Sequence, residues 1–255
     1  MSGTHKDICH ICGKEAELTF EHIPPKKAFN WHRAKIYNGY GALSKSQGEL
    51  AKYNNSQQGM GKYSLCQSCN NITGAWYAAD YCNFAMSVLH SRHQNKPLTH
   101  GDVVTYRFKD LSPLQIVKQI VAMFCSVLPY QEVHRLGFDK LLLERENNTI
   151  NRELFDLRMY LSSSENGQIM CGPTAVLYKG IDGSIDTSWV ADIGAYPFGY
   201  ILNLTPEIPV KYGISILDMF DVDYDDKCEF ALSLMYLERK DNALPLPLMF
   251  KDLSQ

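Results

Sequence analysis

Apolar residues recur along the chain with two different spacings, and the change of spacing separates a helical stretch from a strand-rich one. After Asn71 the apolar positions return every three or four residues, which predicts a helix that ends before Pro97. Ser112 is a cap residue followed directly by Pro113, so a second helix is predicted there, and Pro129 stops it. A further helix is predicted over residues 138–146.

The remainder of the C-terminal part has the pattern of β-strands. Short apolar and β-branched runs alternate with clusters of Gly, Pro, Asn and Asp, and the predicted strands cover residues 103–108, 159–161, 170–178, 189–204, 214–220 and 230–237. This pattern predicts an α+β domain with a mostly antiparallel sheet and helices on one side.

The N-terminal part is organised differently. It contains one predicted short strand, residues 17–20, followed by a long segment, residues 23–65, that is rich in Gly, Ser, Asn and Gln, a composition typical of loops and turns. The polar stretch 94–101 marks a boundary. We therefore predict two domains, residues 1–98 with the long insertion, and residues 99–255.

Four of the eight cysteines form two C-x2-C pairs, Cys9 with Cys12 and Cys66 with Cys69. Two such pairs, distant in sequence, are typical of a tetrahedral structural zinc site, and the two pairs together with the lack of a βαβ context argue against a redox motif. The other cysteines occur singly in mostly apolar surroundings. We expect them to be reduced, buried thiols; they are Cys82, Cys125, Cys171 and Cys228.

The composition is that of an ordinary soluble protein, with 45% hydrophobic residues. No run approaches the roughly 20 apolar residues of a membrane-spanning helix, and the N-terminus lacks the apolar stretch of a signal peptide. A cytoplasmic protein without membrane contact is expected, and the sequence leaves an oligomer open.

Charge is unevenly distributed along the chain. Residues 1–100 carry 11 basic against 6 acidic side chains, whereas residues 101–255 carry 14 against 22, although the net charge of the whole chain is only −3. This asymmetry predicts that a polyanion meets the N-terminal part alone.

Three polar residues lie beside the cysteine pairs: Glu21 and His22 between them, and Asn70 directly after the fourth cysteine. Each has an ordinary interpretation. A lone histidine is more often a structural or surface residue than a base, and Asn after a zinc knuckle commonly serves a positive φ. A carboxylate, an imidazole and a carboxamide beside one zinc site are, in combination, suited to metal-assisted phosphodiester cleavage.

These residues resemble a known family. Cys-x2-Cys, then Glu21-His22-Ile23-Pro24, then Leu65-Cys-x2-Cys-Asn70 with Gly74 nearby is similar to the four-cysteine, zinc-ribbon branch of the HNH endonucleases. The resemblance covers residues 8–90 in two blocks. It implies a β-hairpin and a helix around one divalent cation, the ββα-metal or His-Me finger, in a small zinc-stabilised module that precedes the larger α+β domain.

By this resemblance Glu21 and Asn70 would be oxygen ligands of a catalytic Mg2+ or Mn2+, and His22 the general base that activates water. DNA is the favoured substrate. The family's middle Asn would be one of Asn30, Asn38, Asn54 and Asn55, and no motif selects among them. Family members act in restriction, phage defence, recombination and toxins, so the resemblance does not choose a pathway.

The insertion itself is a candidate nucleic-acid clamp. Residues 23–65 carry seven basic side chains against one acidic, with aromatic residues interleaved; the basic residues are Lys26, Lys27, Arg33, Lys35, Lys45, Lys52 and Lys62. The alternative is a solvated loop whose aromatic residues pack locally.

An acidic cluster in the second part invites a calcium interpretation, but it lacks the Gly and the terminal Glu of an EF-hand loop, so a solvated acidic face is favoured; it comprises Asp218, Asp221, Asp223, Asp225 and Asp226. The second part could instead sense a ligand, contact a protein partner or restrain the first. For the whole chain, two alternatives to a DNA endonuclease stay open, a zinc ribbon that binds nucleic acid or protein without chemistry and an RNA-directed nuclease.

Overall fold

The computed structural model describes residues 5–31, 34–36, 54–92, 97–162, 169–179, 184–210 and 212–237. Its N-terminal half begins with five strands: β1 (Lys6–Ile8), β2 (Glu15–His22), β3 (Ala34–Ile36), β4 (Asn54–Ser56) and β5 (Gly61–Cys66). An antiparallel three-stranded sheet has the order β1-β2-β5, and β3 pairs with β4 inside the insertion. Strand β2 therefore extends the predicted strand to both sides, and the insertion contains strands as well as turns.

The helix predicted after Asn71 is two helices, α1 (Gln67–Trp76) and α2 (Ala78–Arg92). They meet at Tyr77, which is fully buried and whose hydroxyl donates to the Leu142 carbonyl at 2.8 Å. The break turns this side chain toward the second half. Periodicity alone does not reveal such a break, because the apolar spacing continues across it.

The second half opens with β6 (Val103–Leu111), followed by α3 (Pro113–Val127), α4 (Tyr130–Arg135) and α5 (Phe138–Leu143). The predicted cap is confirmed, since Ser112 Oγ accepts from the Gln115 backbone amide at 3.4 Å. Helix α3 is buried along nearly its whole length and forms the centre of the core. Among the described residues no helix, α3 included, is long and apolar enough to cross a membrane.

The large sheet contains β7 (Asp156–Ser162), β8 (Ile169–Lys179), β9 (Ile185–Ala195), β10 (Phe198–Asn203), β11 (Ile214–Ser215) and β12 (Cys228–Leu237). Its order is β6-β12-β7-β10-β9-β8, with β11 also paired to β7. The pairs are antiparallel except for β12 with β7. The predicted α+β class with a mostly antiparallel sheet is confirmed.

Two strand predictions in this sheet were wrong in extent. Residues 189–204 form parts of β9 and β10, joined by a tight turn at Tyr196 and Pro197, because proline cannot continue a ladder of backbone hydrogen bonds. Residues 214–220 form only the short β11 and then a 3-10 helix, Leu217–Phe220, which directs Leu217, Met219 and Phe220 into the core.

The two halves share one buried apolar cluster, which extends from Cys9 to Tyr236. Phe84 on α2 packs against Phe108 and Phe198, each with ring centroids 4.6 Å apart. Tyr200 also donates a hydrogen bond to the Tyr81 hydroxyl at 3.2 Å. The halves are therefore in intimate contact, and the division into domains at residue 98 stays a prediction.

Candidate metal centre and active site

The four paired cysteines converge on one point. The Sγ atoms of Cys9, Cys12, Cys66 and Cys69 all lie within 4.8 Å of one another. The Cys12 and Cys66 sulfurs are 3.9 Å apart, close to the separation of about 3.8 Å that a tetrahedral ion with Zn–S bonds of about 2.3 Å requires. This donor set fits a structural metal such as zinc.

Electrostatics within the cluster also suit a cation. Hydrogen bonding with Cys69 lowers the pKa of Cys9 to about 4, and the same contact raises the pKa of Cys69. The Cys66 backbone amide donates to Cys9 Sγ at 3.3 Å, as amides of a zinc knuckle do. Burial raises the pKa of Cys12. The Cys9 thiolate is therefore favoured within the cluster, and a bound metal would supply the positive charge that favours thiolates at Cys12 and Cys69.

The first knuckle is anchored to the buried helix α3. His10 Nδ1 donates to the Cys125 carbonyl at 2.9 Å, and the His10 amide donates to the Ser64 carbonyl at 2.9 Å. Ser64 Oγ in turn donates to Ser126 Oγ at 2.9 Å, with both serines fully buried. The cysteine cluster is thus connected rigidly to the second half.

The single cysteines lie outside this cluster and are free thiols. The prediction that they are buried is confirmed for Cys125, which is fully buried. It was wrong for Cys82, Cys171 and Cys228, which are half-buried. Cys82 lies within α2 at the margin of the core, whereas Cys171 and Cys228 lie near the starts of β8 and β12.

Strand pairing brings the end of β2 together with the start of β5, at the end of this strand pair that is away from Cys66. Glu21 lies opposite Lys62, and His22 lies opposite Gly61. A side chain at Gly61 would overlap the Glu21 carbonyl and the Phe20 ring, so this close approach requires glycine. Strands β2 and β5 therefore form an antiparallel pair, and the insertion connects them.

Glu21 and His22 occupy contrasting environments at this end of β2. Glu21 is only 7% exposed, and burial raises the pKa of its carboxyl to about 8. No described residue donates a hydrogen bond to that carboxyl or forms an ion pair with it. Burial and the nearby Lys26 ammonium lower the pKa of His22, so its imidazole is neutral near pH 7.

The His22 ring is also oriented by its neighbours. It meets the Phe20 ring edge to face, with centroids 5.0 Å apart, and the Gln58 backbone lies close enough to affect its pKa. A ring packed against Phe20 has reduced rotational freedom, which suits a base that must act in one direction.

Asn70, in the first turn of α1, contacts the same strand. Its Nδ2 donates to Thr19 Oγ1 at 2.9 Å and to the Phe20 carbonyl at 3.5 Å. The Thr19 hydroxyl donates its proton to the Leu65 carbonyl, so it can only accept from Asn70. The Asn70 side chain must therefore present Nδ2 to Thr19, which fixes the orientation of its carboxamide. No described residue donates to Asn70 Oδ1.

The ordinary explanation for Asn70 does not hold. It lies within a helix, and the described non-glycine residues with positive φ are Phe29 and Asp110. Its carboxamide therefore has a side-chain role, which is its hydrogen bonding to Thr19 and Phe20 of β2. The structure brings Asn70 to the strand that carries Glu21 and His22.

Asn30 is a further site residue that the sequence offered only as one of four. It is 2% exposed; its Nδ2 donates to the Pro24 carbonyl at 2.8 Å and to the Met60 carbonyl at 2.6 Å, and its Oδ1 accepts from the Met60 amide at 2.7 Å. It thereby fixes the loop that follows His22 to the segment that precedes β5. Asn54 and Asn55 are exposed on β4, and Asn38 lies outside the described residues.

The predicted basic clamp is only partly described. Lys26, Lys27 and Lys62 are exposed, and Lys26 lies close enough to His22 to affect its pKa. Lys35 belongs to β3, and the remaining three basic residues lie outside the described part of the chain: Arg33, Lys45 and Lys52.

The acidic cluster is a solvated face. Arg152 binds Asp218 at 3.2 Å and Asp221 at 2.6 Å, and Arg145 binds Asp225 at 3.2 Å. The three carboxylates remain well exposed, and the two guanidinium groups neutralise part of their negative charge. This agrees with the favoured sequence interpretation rather than with a calcium loop.

No protein-family model, curated protein or solved structure matches this chain. Any functional assignment therefore depends on the residues and geometry described above.

Proposed function

We propose that the protein is a metal-dependent endonuclease of the HNH type, which hydrolyses phosphodiester bonds in nucleic acid, with DNA favoured over RNA. One observation carries the proposal. Asn70 follows the fourth cysteine, and its Nδ2 donates hydrogen bonds to Thr19 and Phe20 of β2. Its Oδ1 is therefore left as an acceptor near the strand that carries the buried Glu21 and the oriented His22.

The two acceptors suit a hard divalent cation. A buried carboxyl that no described residue pairs, and an amide oxygen without a donor, are oxygen ligands of the kind that Mg2+ and Mn2+ prefer. Glu21 and Asn70 would hold that cation, while the four cysteines would hold structural zinc. A cation bound there would supply positive charge to the phosphate and to the departing 3′ oxygen.

His22 would act as the general base. Its neutral imidazole accepts a proton from water, the water oxygen attacks phosphorus, and the bond from phosphorus to the 3′ oxygen breaks. The lowered pKa keeps the imidazole free of a proton at neutral pH, and the contact with the Phe20 ring restrains its orientation. Asn30 would hold the loop after His22 in register with β5.

The charge around the site favours a polyanionic substrate. Lys26 and Lys62 are exposed beside the strand ends that carry His22 and Glu21. Phosphate groups are attracted to such ammonium groups, in keeping with the basic character of the whole insertion.

Plasmid cleavage tests the proposal. The zinc-loaded protein with Mg2+ or Mn2+ should nick or cut plasmid DNA, and His22→Ala should reduce the rate by about 100-fold or more while zinc content and fold are retained. His134→Ala is a matched control, because that histidine is exposed on α4 and pairs with Asp139 far along the chain from the site.

Cleavage by His22→Ala at the wild-type rate would remove the catalytic assignment and leave the zinc ribbon as a binding module. Cleavage of RNA but of no form of DNA would replace the substrate and keep the chemistry. A panel of duplex, single-stranded and branched DNA together with RNA distinguishes these results.

A further inference from the structure

Four aromatic rings form a continuous series of contacts along the small sheet, and we call it the aromatic row: His5, Tyr63, Phe20 and His22. The His5 and Tyr63 rings stack with centroids 3.8 Å apart and planes 18° from parallel. Tyr63 meets Phe20 edge to face at 5.4 Å, and Phe20 meets His22 in the same manner at 5.0 Å. The row therefore leads from the N-terminal edge of the sheet directly to the proposed base.

The aromatic row is not part of the apolar core. Neither Phe20 nor Tyr63 belongs to the buried clusters or to the half-buried apolar residues packed against them. Tyr63 is 43% exposed, and His5 at the end of the row is exposed as well. Large rings that the core does not use, aligned on one surface, need another explanation for their arrangement.

The row has basic residues at two places. Lys62 precedes Tyr63 on β5 and is exposed, and Lys26 lies near His22 at the other end. Ammonium groups that neutralise phosphates next to rings that stack on bases are the combination used by proteins that bind single strands. In a duplex the base faces are already stacked on each other and are not available to a protein ring.

We propose that the aromatic row binds unpaired bases of a nucleic-acid strand, so that cleavage is directed to a phosphodiester bond beside single-stranded or distorted sequence. This rests on the proposed function, since it names the substrate class of the same site. A base stacks on the exposed part of Tyr63 or on the outer face of His5, and its strand passes toward His22.

Binding measurements test the proposal separately from catalysis. Fluorescence anisotropy is recorded with zinc-loaded full-length protein and no added Mg2+ or Mn2+, against single-stranded DNA, single-stranded RNA and duplex DNA of one sequence. Tyr63→Leu should weaken binding of at least one kind of single strand by about fivefold or more, and duplex binding by less than about twofold. Tyr63→Phe should retain wild-type affinity, because it keeps the ring.

Trp189→Leu is the matched control, since Trp189 is 48% exposed on β9 and lies outside the row. It should leave binding unchanged. His5→Ala removes the ring at the end of the row, and because His5 is exposed this substitution should not disturb the fold. It replaces Tyr63→Leu as the test if that variant does not fold. Equal losses for duplex and single strands, or unchanged single-strand binding in the folded ring variants, would overturn the proposal.

The two proposals fail in different ways. A protein that cuts no substrate but loses single-strand binding in Tyr63→Leu would keep the aromatic row as a binding site and remove the enzyme. A protein that cuts DNA through His22 but binds single strands equally with and without the Tyr63 ring would keep the enzyme and remove the role of the row.

Discussion

Two buried ionisable side chains, one in each half of the molecule, have opposite surroundings. In the second half Lys118 is fully buried, yet its Nζ donates to the carbonyls of Glu144 and Arg145 at 3.1 and 2.8 Å. Its ammonium also lies 5.4 Å from the centroid of the Tyr77 ring. In the first half Glu21 is almost as deeply buried, and no described residue bonds to its carboxyl.

This difference distinguishes a residue of the scaffold from a residue of the candidate site. A buried ammonium such as that of Lys118 needs partners, because an unpaired buried charge costs several kcal/mol. Burial instead raises the pKa of the Glu21 carboxyl to about 8, and pKa values perturbed in this way are common at functional sites. The first half carries the candidate site, and the hydrogen bonds of His10 and Ser64 connect this half to α3.

The largest effect is expected from the cysteine cluster. Cys66→Ser should lose bound zinc and most of the stability of the first half, because binding of a structural zinc stabilises small modules by about 10 kcal/mol or more. Metal content by mass spectrometry and thermal unfolding measure this. Cys228→Ser, outside the cluster, should keep both. Full zinc stoichiometry in Cys66→Ser would refute the four-thiolate site.

A smaller loss is expected at Asn30. Asn30→Ala removes three buried hydrogen bonds and leaves the Met60 amide without its acceptor, while the Met60 carbonyl keeps the Ile23 amide, so the free energy of unfolding should fall by about 2–4 kcal/mol. Zinc should stay bound, while cleavage falls because the loop after His22 loses its anchor. Asn54→Ala, exposed on β4, is the control. Equal free energies of unfolding in urea for the two variants would contradict the stabilising role of the Asn30 hydrogen bonds.

The smallest effect concerns the paired charge of the scaffold. Burial lowers the pKa of Lys118 to about 8, whereas the unfolded chain keeps this proton up to about pH 10.5. The unfolded state therefore binds more protons in this window, and stability from this residue rises as the pH increases from about 8 to 10.5. Lys118→Met should abolish that rise, because the Met side chain binds no proton in either state. The control Lys140→Met, at an exposed position of α5, should keep the rise in stability with pH. Urea unfolding between about pH 8 and 10.5 measures this difference.

Local signals in the sequence account for much of the fold. The Ser112 cap and Pro113 predict the start of α3, and the C-x2-C pairs predict the cysteine cluster, because each depends on neighbours in sequence or on a fixed ligand geometry. The break at Tyr77 was missed because it depends on the Leu142 carbonyl, a partner 65 residues away. Strand β5 was also missed, since its pairing with β2 crosses the whole insertion.

In the candidate site, too, local features could be predicted from the sequence and features that depend on distant partners could not. Glu21, His22 and Asn70 could be named from the motif, but the fixed amide of Asn70 and the burial of Glu21 depend on how α1 packs on β2. Asn30 could not be told from three other asparagines, because only the closed loop gives it the Pro24 and Met60 partners. The aromatic row likewise requires strand register, which places Tyr63 opposite Phe20.

Direct measurement of Mn2+ binding tests the claim that the open acceptors of the first half form a cation site. Electron paramagnetic resonance of free Mn2+ is followed during titration of the zinc-loaded protein without nucleic acid, for the wild type, Glu21→Gln and the control Glu17→Gln, which is exposed on β2. We expect one Mn2+ per chain in the wild type and in the control, and a site with at least tenfold lower Mn2+ affinity in Glu21→Gln. Equal Mn2+ affinity in all three proteins would contradict it.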